Sequence, residues 1–321
     1  MGGRHAPFRD ACLASAAIIC VAAILCVLVF FWKGPVNKRE TFEVESSEVV
    51  ACNGEDAPPS RPLIIVSLTT TPTRLPHIDA TLRSLFDNQT LQPDAIELNL
   101  PNLFRRDNTP VAYSDIVRFS SLPHLRIHRV NDVGPITKFA PTLLRYASKP
   151  DTMIVVVDDD TLYPSNLIER LVAAAASHPE AIVTAHCTDM YTHNGTACDM
   201  VEGFKSYLLR PGLFRPAFWA YLRIALASSD CYRSDDFVLS SYMHMAKIPV
   251  LRIYDSSVDH TPQLHYGFQT DALHKLGSPN TNTSFRYCEC YLHLKENLPG
   301  PVALHAKCPD EPQAPDGLHL I

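Results

Sequence analysis

Met153-Ile154-Val155-Val156-Val157-Asp158-Asp159-Asp160 decides the fold. The five apolar residues are few, rich in β-branched side chains and without alternation, the pattern of a strand buried on both faces of a parallel sheet. The aspartates then stand at the carboxyl end of that strand, where open α/β sheets bind their ligands. Three adjacent carboxylates repel one another and persist together when water or a cation screens them. Oxygen donors of this kind suit Mg²⁺ or Mn²⁺, ions that commonly carry phosphate groups. Successive side chains of an extended chain point opposite ways, so Asp158 and Asp160 share a face while Asp159 turns elsewhere. Asp160 is placed to bind the ion, and Asp158 to reach the sugar of a nucleotide or the ion's waters. A solvated acidic loop is the plain alternative.

Outward from this stretch, strands are expected at 63–68, 95–100, 125–130, 181–185 and 249–254, and helices at 78–86, 138–146, 167–176 and 235–246. The helix over 78–86 rests on Ile78, Leu82, Leu85 and Phe86 at helical spacing, and that over 167–176 on Pro164-Ser165 as a start signal. The alternation of strand and helix predicts an α/β fold with a mostly parallel, Rossmann-like sheet flanked by helices. Past residue 190 the pattern loosens. The tail after Pro279 is rich in Cys, Pro and His and shows no period.

The 321-residue chain is 46% hydrophobic with a net charge of −6, so it holds ample material for a core and offers no basic face to nucleic acid. Ala11 to Trp32 carries no charge and is long enough to cross a bilayer as a helix. It ends Val29-Phe30-Phe31-Trp32, without a small-residue cleavage site, which favours an uncleaved signal-anchor over a signal peptide. The expected organisation is a cytosolic tail over 1–10, a transmembrane anchor over 11–32, an acidic, polar stem over 33–61, a catalytic domain over 62–275 and a Cys/Pro-rich extension over 276–321. Three N-glycosylation sequons, at Asn88, Asn194 and Asn282, and seven cysteines after the span (Cys52, Cys187, Cys198, Cys231, Cys288, Cys290 and Cys308) favour an oxidising lumen. Seven is odd, so at least one is free or pairs between chains, and the connectivity is open. Cys187 with Cys198 is a plausible local pair. Zinc is the rival use of these cysteines, but no paired Cys-x-x-Cys or His-x-x-x-His set supports it.

A second acidic pair, Asp235-Asp236, follows Cys231-Tyr232-Arg233-Ser234. One reading is a helix start, where Ser234 or Asp235 caps exposed amides. The other makes one carboxylate a general base that activates an acceptor hydroxyl.

An anchor, a stem, an α/β region, an Asp-x-Asp on a strand end and a later Asp-Asp at a helix start together resemble Golgi-type nucleotide-sugar glycosyltransferases of the GT-A fold. Val66-Ser67-Leu68-Thr69-Thr70-Thr71-Pro72-Thr73-Arg74-Leu75 looks like the opening strand and loop of family-2-like members, and Asn131-Asp132-Val133-Gly134-Pro135-Ile136-Thr137-Lys138 is similar to their Gly-Pro-x-x-Lys segment. The similarity covers roughly residues 62 to 275. It implies a type II membrane protein of the Golgi or ER with its catalytic domain in the lumen. It implies transfer of a sugar from a nucleotide donor, a UDP-sugar in the first place, to a glycan, protein or lipid hydroxyl, with inversion. Asp158 and Asp160 would hold Mn²⁺ (or Mg²⁺) and the sugar nucleotide, and Asp236 or Asp235 would be the base. Lys138 would approach the nucleotide or a phosphate, with a solvated helix start as its alternative. Thr70, Thr71 and Arg74 would lie near the base and ribose.

Many enzymes of this fold complete the metal shell with a late histidine, for which His260 and His265 are the candidates. Glu202-Gly203-Phe204, followed by Tyr207 and Arg210, resembles an acceptor-side loop, with the glycine allowing close backbone approach. Phe218 and Trp219 are expected in the core rather than as a sugar platform. Two other classes stay in view: a GT-A-like lectin or scaffold without catalysis, and a metal-dependent phosphohydrolase, which would need a fuller Asp/His set than the early strand ends supply.

Overall fold

A seven-stranded sheet forms the centre of the computed structural model, which describes residues 61–119, 122, 124–188, 198–253, 264, 283–304, 306 and 308. Its strands are β1 (Ile64–Thr69), β2 (Ala95–Pro101), β3 (Leu125–Val130), β4 (Met153–Val156), β5 (Ile182–Thr184), β6 (Tyr207–Leu209) and β7 (Val250–Arg252), in the order β7-β5-β6-β4-β1-β2-β3. All neighbours pair in parallel except β6, which runs antiparallel between β4 and β5. Around it lie α1 (Asp79–Phe86), α2 (Ala140–Arg145), α3 (Leu167–Ser177), α4 (Ala217–Ala225), α5 (Ser229–Tyr232), α6 (Asp235–Ala246) and α7 (Thr283–Asn297). The mostly parallel α/β sheet fits the Rossmann-like GT-A arrangement that the sequence resembles.

The strand order fixes where a ligand can sit. From β1 the chain steps outward through β2 and β3, then returns to the other side of β1 with β4. The loops leaving β1 and β4 therefore diverge, and the crevice between them is a topological switch point. Antiparallel β6 adds a second consequence. Tyr207, its first residue, pairs with Val156, the last of β4, so the segment that enters β6, Glu202–Ser206, arrives at the same sheet end as the aspartates.

Met153 to Val157 is fully inside, as its unbroken hydrophobicity requires. α3 turns Leu167, Ile168, Leu171 and Ala175 inward. Ser165 does not cap it; Gln89 Oε1 accepts the Ile168 amide instead, at 3.1 Å, in place of a side-chain cap from Asn166. The expected helix over 138–146 is two pieces, a 3₁₀ turn Ile136–Lys138 and then α2, because Phe139 leaves helical geometry (φ −132°) just before Pro141.

On β2 the inward positions include Glu97 and Asn99, buried charge and amide where an apolar residue is usual. They are answered by Arg145 and Tyr146 at the end of α2. Arg145 donates to Glu97 Oε2 from Nη2 (2.6 Å) and Nε (3.0 Å) and to Asn99 Oδ1 (2.6 Å), and Tyr146 Oη donates to Glu97 Oε1 (2.8 Å). Asn99 Nδ2 continues the network to Ser67 and Thr142.

Three disulfides join Cys187 to Cys198, Cys231 to Cys290 and Cys288 to Cys308. The local pair expected at 187–198 is thus present, and Cys52 lies outside the described residues. β6, α4 and α7 stand in the region where the sequence showed no clear period. Among its described side chains, α7 buries Arg286, Cys288, Cys290, Tyr291 and Leu294, of which one is aliphatic, so hydropathy reveals little of it. Phe218 is buried in α4 as expected, with Trp219 edge-on to it at 5.1 Å. The anchor over 11–32 and residues 33–60 of the stem lie outside the described residues, as do Asn194, Asn282, His260 and His265. Among the described residues no helix is long and apolar enough to cross a membrane. Asn88 is exposed.

Candidate active site

The three aspartates leave β4 into three different environments. Asp159 turns inward and is 6% exposed. Its carboxylate accepts from Thr70 Oγ1 (2.5 Å) and Arg74 Nη1 (2.8 Å), and its carbonyl accepts from Thr81 Oγ1 (2.9 Å). The middle aspartate therefore clamps the loop after β1 to the end of β4. Burial raises its carboxyl above the usual range, and Arg74 and Thr70 pull it back. Among the described residues Asp160 makes a longer side-chain contact to Arg74, 3.3 Å. Burial and then the neighbouring Asp158 and Asp159 carboxylates push its carboxyl up to about 7. Its carbonyl accepts the Leu264 amide at 2.6 Å, which brings that point of the chain beside the strand end.

Asp158 faces the cleft and meets Lys138. Lys138 Nζ lies 2.8 Å from Asp158 Oδ1 and 2.7 Å from Asp235 Oδ2, with its side chain 6% exposed. Lys138 is therefore no solvated helix start: it is a buried cation that joins the two acidic stations. Burial works against its charge, but Asp158, Asp235 and Asp236 outweigh it and raise the ammonium well above its usual range. The preceding loop delivers Lys138 through Gly134. That glycine sits at φ +74°, and a Cβ there would stand 2.1 Å from the Tyr232 carbonyl oxygen, so the loop can lie against α5 only without a side chain. Asp132 fixes the same turn by accepting the amides of Arg105 (2.7 Å) and Gly134 (2.8 Å).

At the start of α6 the two carboxylates divide. Asp235 is committed to Lys138. Asp236 faces the cleft and accepts the Gly203 amide at 3.1 Å. Burial, then the Asp235 carboxylate, push Asp236 well above its ordinary range; Asp158 and Glu202 add to this and Lys138 opposes it. Gly203 is confined on its other side too, since a Cβ would lie 2.2 Å from Lys138 Nζ and 3.0 Å from Asp158 Oδ1. The expectation of close backbone approach at this glycine holds, and the residues it approaches are the ion pair and Asp236. Glu202 accepts from Thr188 Oγ1 (2.7 Å) and lies 3.1 Å from His186 Nε2.

Other expectations need correction. Arg210 does not reach the cleft: it is buried and donates to the Ala175 carbonyl (2.8 Å), tying β6 to α3. Tyr207 is a fully buried strand residue. Ser234, at the N-cap of α6, makes no side-chain cap hydrogen bond.

The cleft, about 310 Å³, is lined by Thr70, Thr71, Arg74, Lys138, Asp158, Asp159, Asp160, Asp235 and Asp236 together with groups the motifs did not mark, among them Phe104, Arg106, Arg233, Arg286 and Tyr287. Phe104 and Arg106 belong to a short hairpin after β2, with the guanidinium 5.1 Å from the Phe104 ring. Arg286 and Tyr287 come from α7; the neighbouring Cys288 and Cys290 were the sequence signal that this part of the tail is fixed in the fold. Among the described residues no set of three His, Cys, Asp or Glu forms a ready metal cage. Asp158 and Asp160 nevertheless stand together at one strand end, where burial and then the repulsion of neighbouring carboxylates lift Asp160. Carboxylate oxygens in this setting fit a hard divalent cation that also takes ligands from a phosphate.

No protein-family model matches the chain, and no curated protein matches it. Among solved structures it is similar to the mannosyltransferase PcManGT from Pyrobaculum calidifontis in complex with GDP-Man and Mn²⁺, at 15% identity and a TM-score of 0.42, over 75% of this chain and 66% of that one. It is also similar to 4-diphosphocytidyl-2C-methyl-D-erythritol synthase, at 14% and 0.39, over 68% of this chain and 98% of the other. S. aureus TarS 1–349 in complex with UDP matches at 11% and 0.39, over 60% and 58%. The chain thus spans less than two thirds of the length of PcManGT and of TarS 1–349. At these identities and scores the likenesses assign no ligand to this chain.

Proposed function

We propose that this protein is a metal-dependent, inverting glycosyltransferase that moves a sugar from a nucleotide donor, a UDP-sugar in the first place, to a hydroxyl of a glycan, protein or lipid. The observation that carries this reading is Lys138, buried between Asp158 and Asp235, which holds a diphosphate-side carboxylate and an acceptor-side acidic pair at fixed spacing at one end of the sheet.

In the reaction, the acceptor oxygen bonds to the anomeric carbon as the bond from that carbon to the diphosphate breaks, and the diphosphate leaves with the electron pair. The hydroxyl proton passes to Asp236, which faces the cleft while Asp235 is held by Lys138. Burial and neighbouring carboxylates make Asp236 a stronger base than a solvated aspartate. Asp160 and Asp158, with His260 as a further ligand, would hold Mn²⁺ or Mg²⁺; such an ion offsets the charge on a departing diphosphate. Thr70 and Arg74, clamped by Asp159, form the wall against which the nucleotide would rest. The chain would sit in a Golgi or ER membrane as a single-pass type II protein with this domain in the lumen. Three disulfides, bonds that persist in oxidising compartments, support that placement.

The test is turnover of a panel of sugar nucleotides by the purified chain with Mn²⁺. Slow hydrolysis of one UDP-sugar, abolished by EDTA and by Asp160→Ala, is the expected result. Nucleotide binding without turnover of any donor, or hydrolysis of simple phosphate esters in its place, would rule the reading out.

A further inference from the structure

The wall that carries Asp235 and Asp236 also carries two guanidiniums and a hydroxyl that the reaction above does not use. Arg233 precedes α6, Arg286 projects from α7, and both line the cleft with Ser234. Arg286 is 4% exposed. Burial draws its guanidinium below the usual range and Arg233 adds repulsion, while Tyr287, Asp235 and Asp230 oppose them. Arg233 and Arg286 thus place two guanidiniums, the groups best suited to grip a phosphate, sulfate or carboxylate, on the wall of the cleft.

Ser234 points the same way by an independent route. At the N-cap of α6 its hydroxyl would ordinarily accept a first-turn amide, yet it makes no such bond. The residue is 2% exposed, and its Oγ has no hydrogen-bond partner among the described residues. A buried hydroxyl left unsatisfied is costly, and this one lies on the wall of a ligand cleft. Behind it, the twelve-residue α6 presents the positive end of its dipole. Asp230 Oδ1 lies 3.3 Å from Arg233 Nη2, and Asp235 is held by Lys138. Asp236 is the carboxylate of the pair that faces the cleft, held by the Gly203 amide.

We propose that the acceptor is anionic, a hydroxyl-bearing molecule with a phosphate, sulfate or carboxylate that Arg233, Ser234 and Arg286 hold beside Asp236. This rests on the glycosyltransferase reading. The donor's diphosphate is the other source of the same chemistry, and the experiment separates the two. The full chain, saturated with UDP and Mn²⁺, is titrated calorimetrically with inorganic sulfate. Sulfate binds the UDP-loaded wild type and is weakened at least tenfold by Arg286→Gln and several-fold by Ser234→Ala. Arg286→Lys retains most of the binding, and UDP affinity stays within twofold throughout. The proposal is overturned if UDP-loaded wild type takes no sulfate. It is equally overturned if Arg286→Gln weakens UDP as much as sulfate, which would give the arginines to the diphosphate. Should the wild type bind no nucleotide, the glycosyltransferase reading fails on its own, and sulfate titration of the nucleotide-free chain still decides whether the anion site exists.

Discussion

At Lys138 Nζ two carboxylates meet in a space nearly closed to solvent. Removing the cation leaves Asp158 and Asp235 without their shared partner, a loss of the kind that destabilises a fold by about 3–5 kcal/mol. Lys138→Met should therefore lower the urea midpoint as well as activity, and an unchanged midpoint would show that the bridge contributes nothing to the fold. Asp236 differs, since it faces the cleft and is held by one amide, that of Gly203. Asp236→Asn should lower kcat by about 10²–10⁴-fold and leave Mn²⁺-dependent UDP binding intact; loss of that binding would move Asp236 from base to donor site. Both acidic pairs were legible in the sequence as chemistry. The division of labour inside each cluster was not, because Lys138 binds Asp235 rather than Asp236, and Thr70 with Arg74 engages Asp159.

Among the elements, α7 depends most on covalent closure. The Cys231–Cys290 bond joins it to α5 across 59 residues, and Cys288–Cys308 ties its other flank. Tyr287 stacks on Phe237 of α6 at 5.4 Å, so the same bonds hold one wall of the cleft. Replacing Cys231 and Cys290 together by serine should cost about 4 kcal/mol by loop-closure entropy. It should also raise KM for the acceptor more than for the donor, measured by denaturation and two-substrate kinetics. An unchanged ratio of the two KM values would separate α7 from acceptor binding. The sequence betrayed β1, β4, α1 and α3 through unbroken or periodic apolar residues. It hid α7, whose buried face is mostly cysteine, tyrosine and arginine, with Leu294 as its aliphatic member.

For the whole molecule, the network around Glu97 links β2, β3 and α2 across the sheet and titrates with unfolding. Burial alone would raise this carboxyl, but His128 and Arg145 overcome it and hold it at about 2, against 4.5 unperturbed. Arg145 is the nearer partner, at 2.6 Å against 3.7 Å for His128. Because the folded value lies below the unfolded one, its stabilisation is complete above about pH 4.5 and is lost as the pH falls towards 2, about 3 kcal/mol in all. Denaturation of wild type and Glu97→Gln between pH 5 and 2.5 should show a steeper fall for the wild type; parallel curves would refute it. By itself the sequence determined the α/β class, the strand that delivers the aspartates and the second acidic station, and it marked Cys187 and Cys198 as candidates for a local pair, because hydropathy period and short motifs are local properties. Only the tertiary structure decided which carboxylate Lys138 binds at each station, and that Arg286 from the tail lines the same cleft as Asp236. Those outcomes depend on charges brought together across about 20 to 100 residues of chain by the strand order, which no local pattern records.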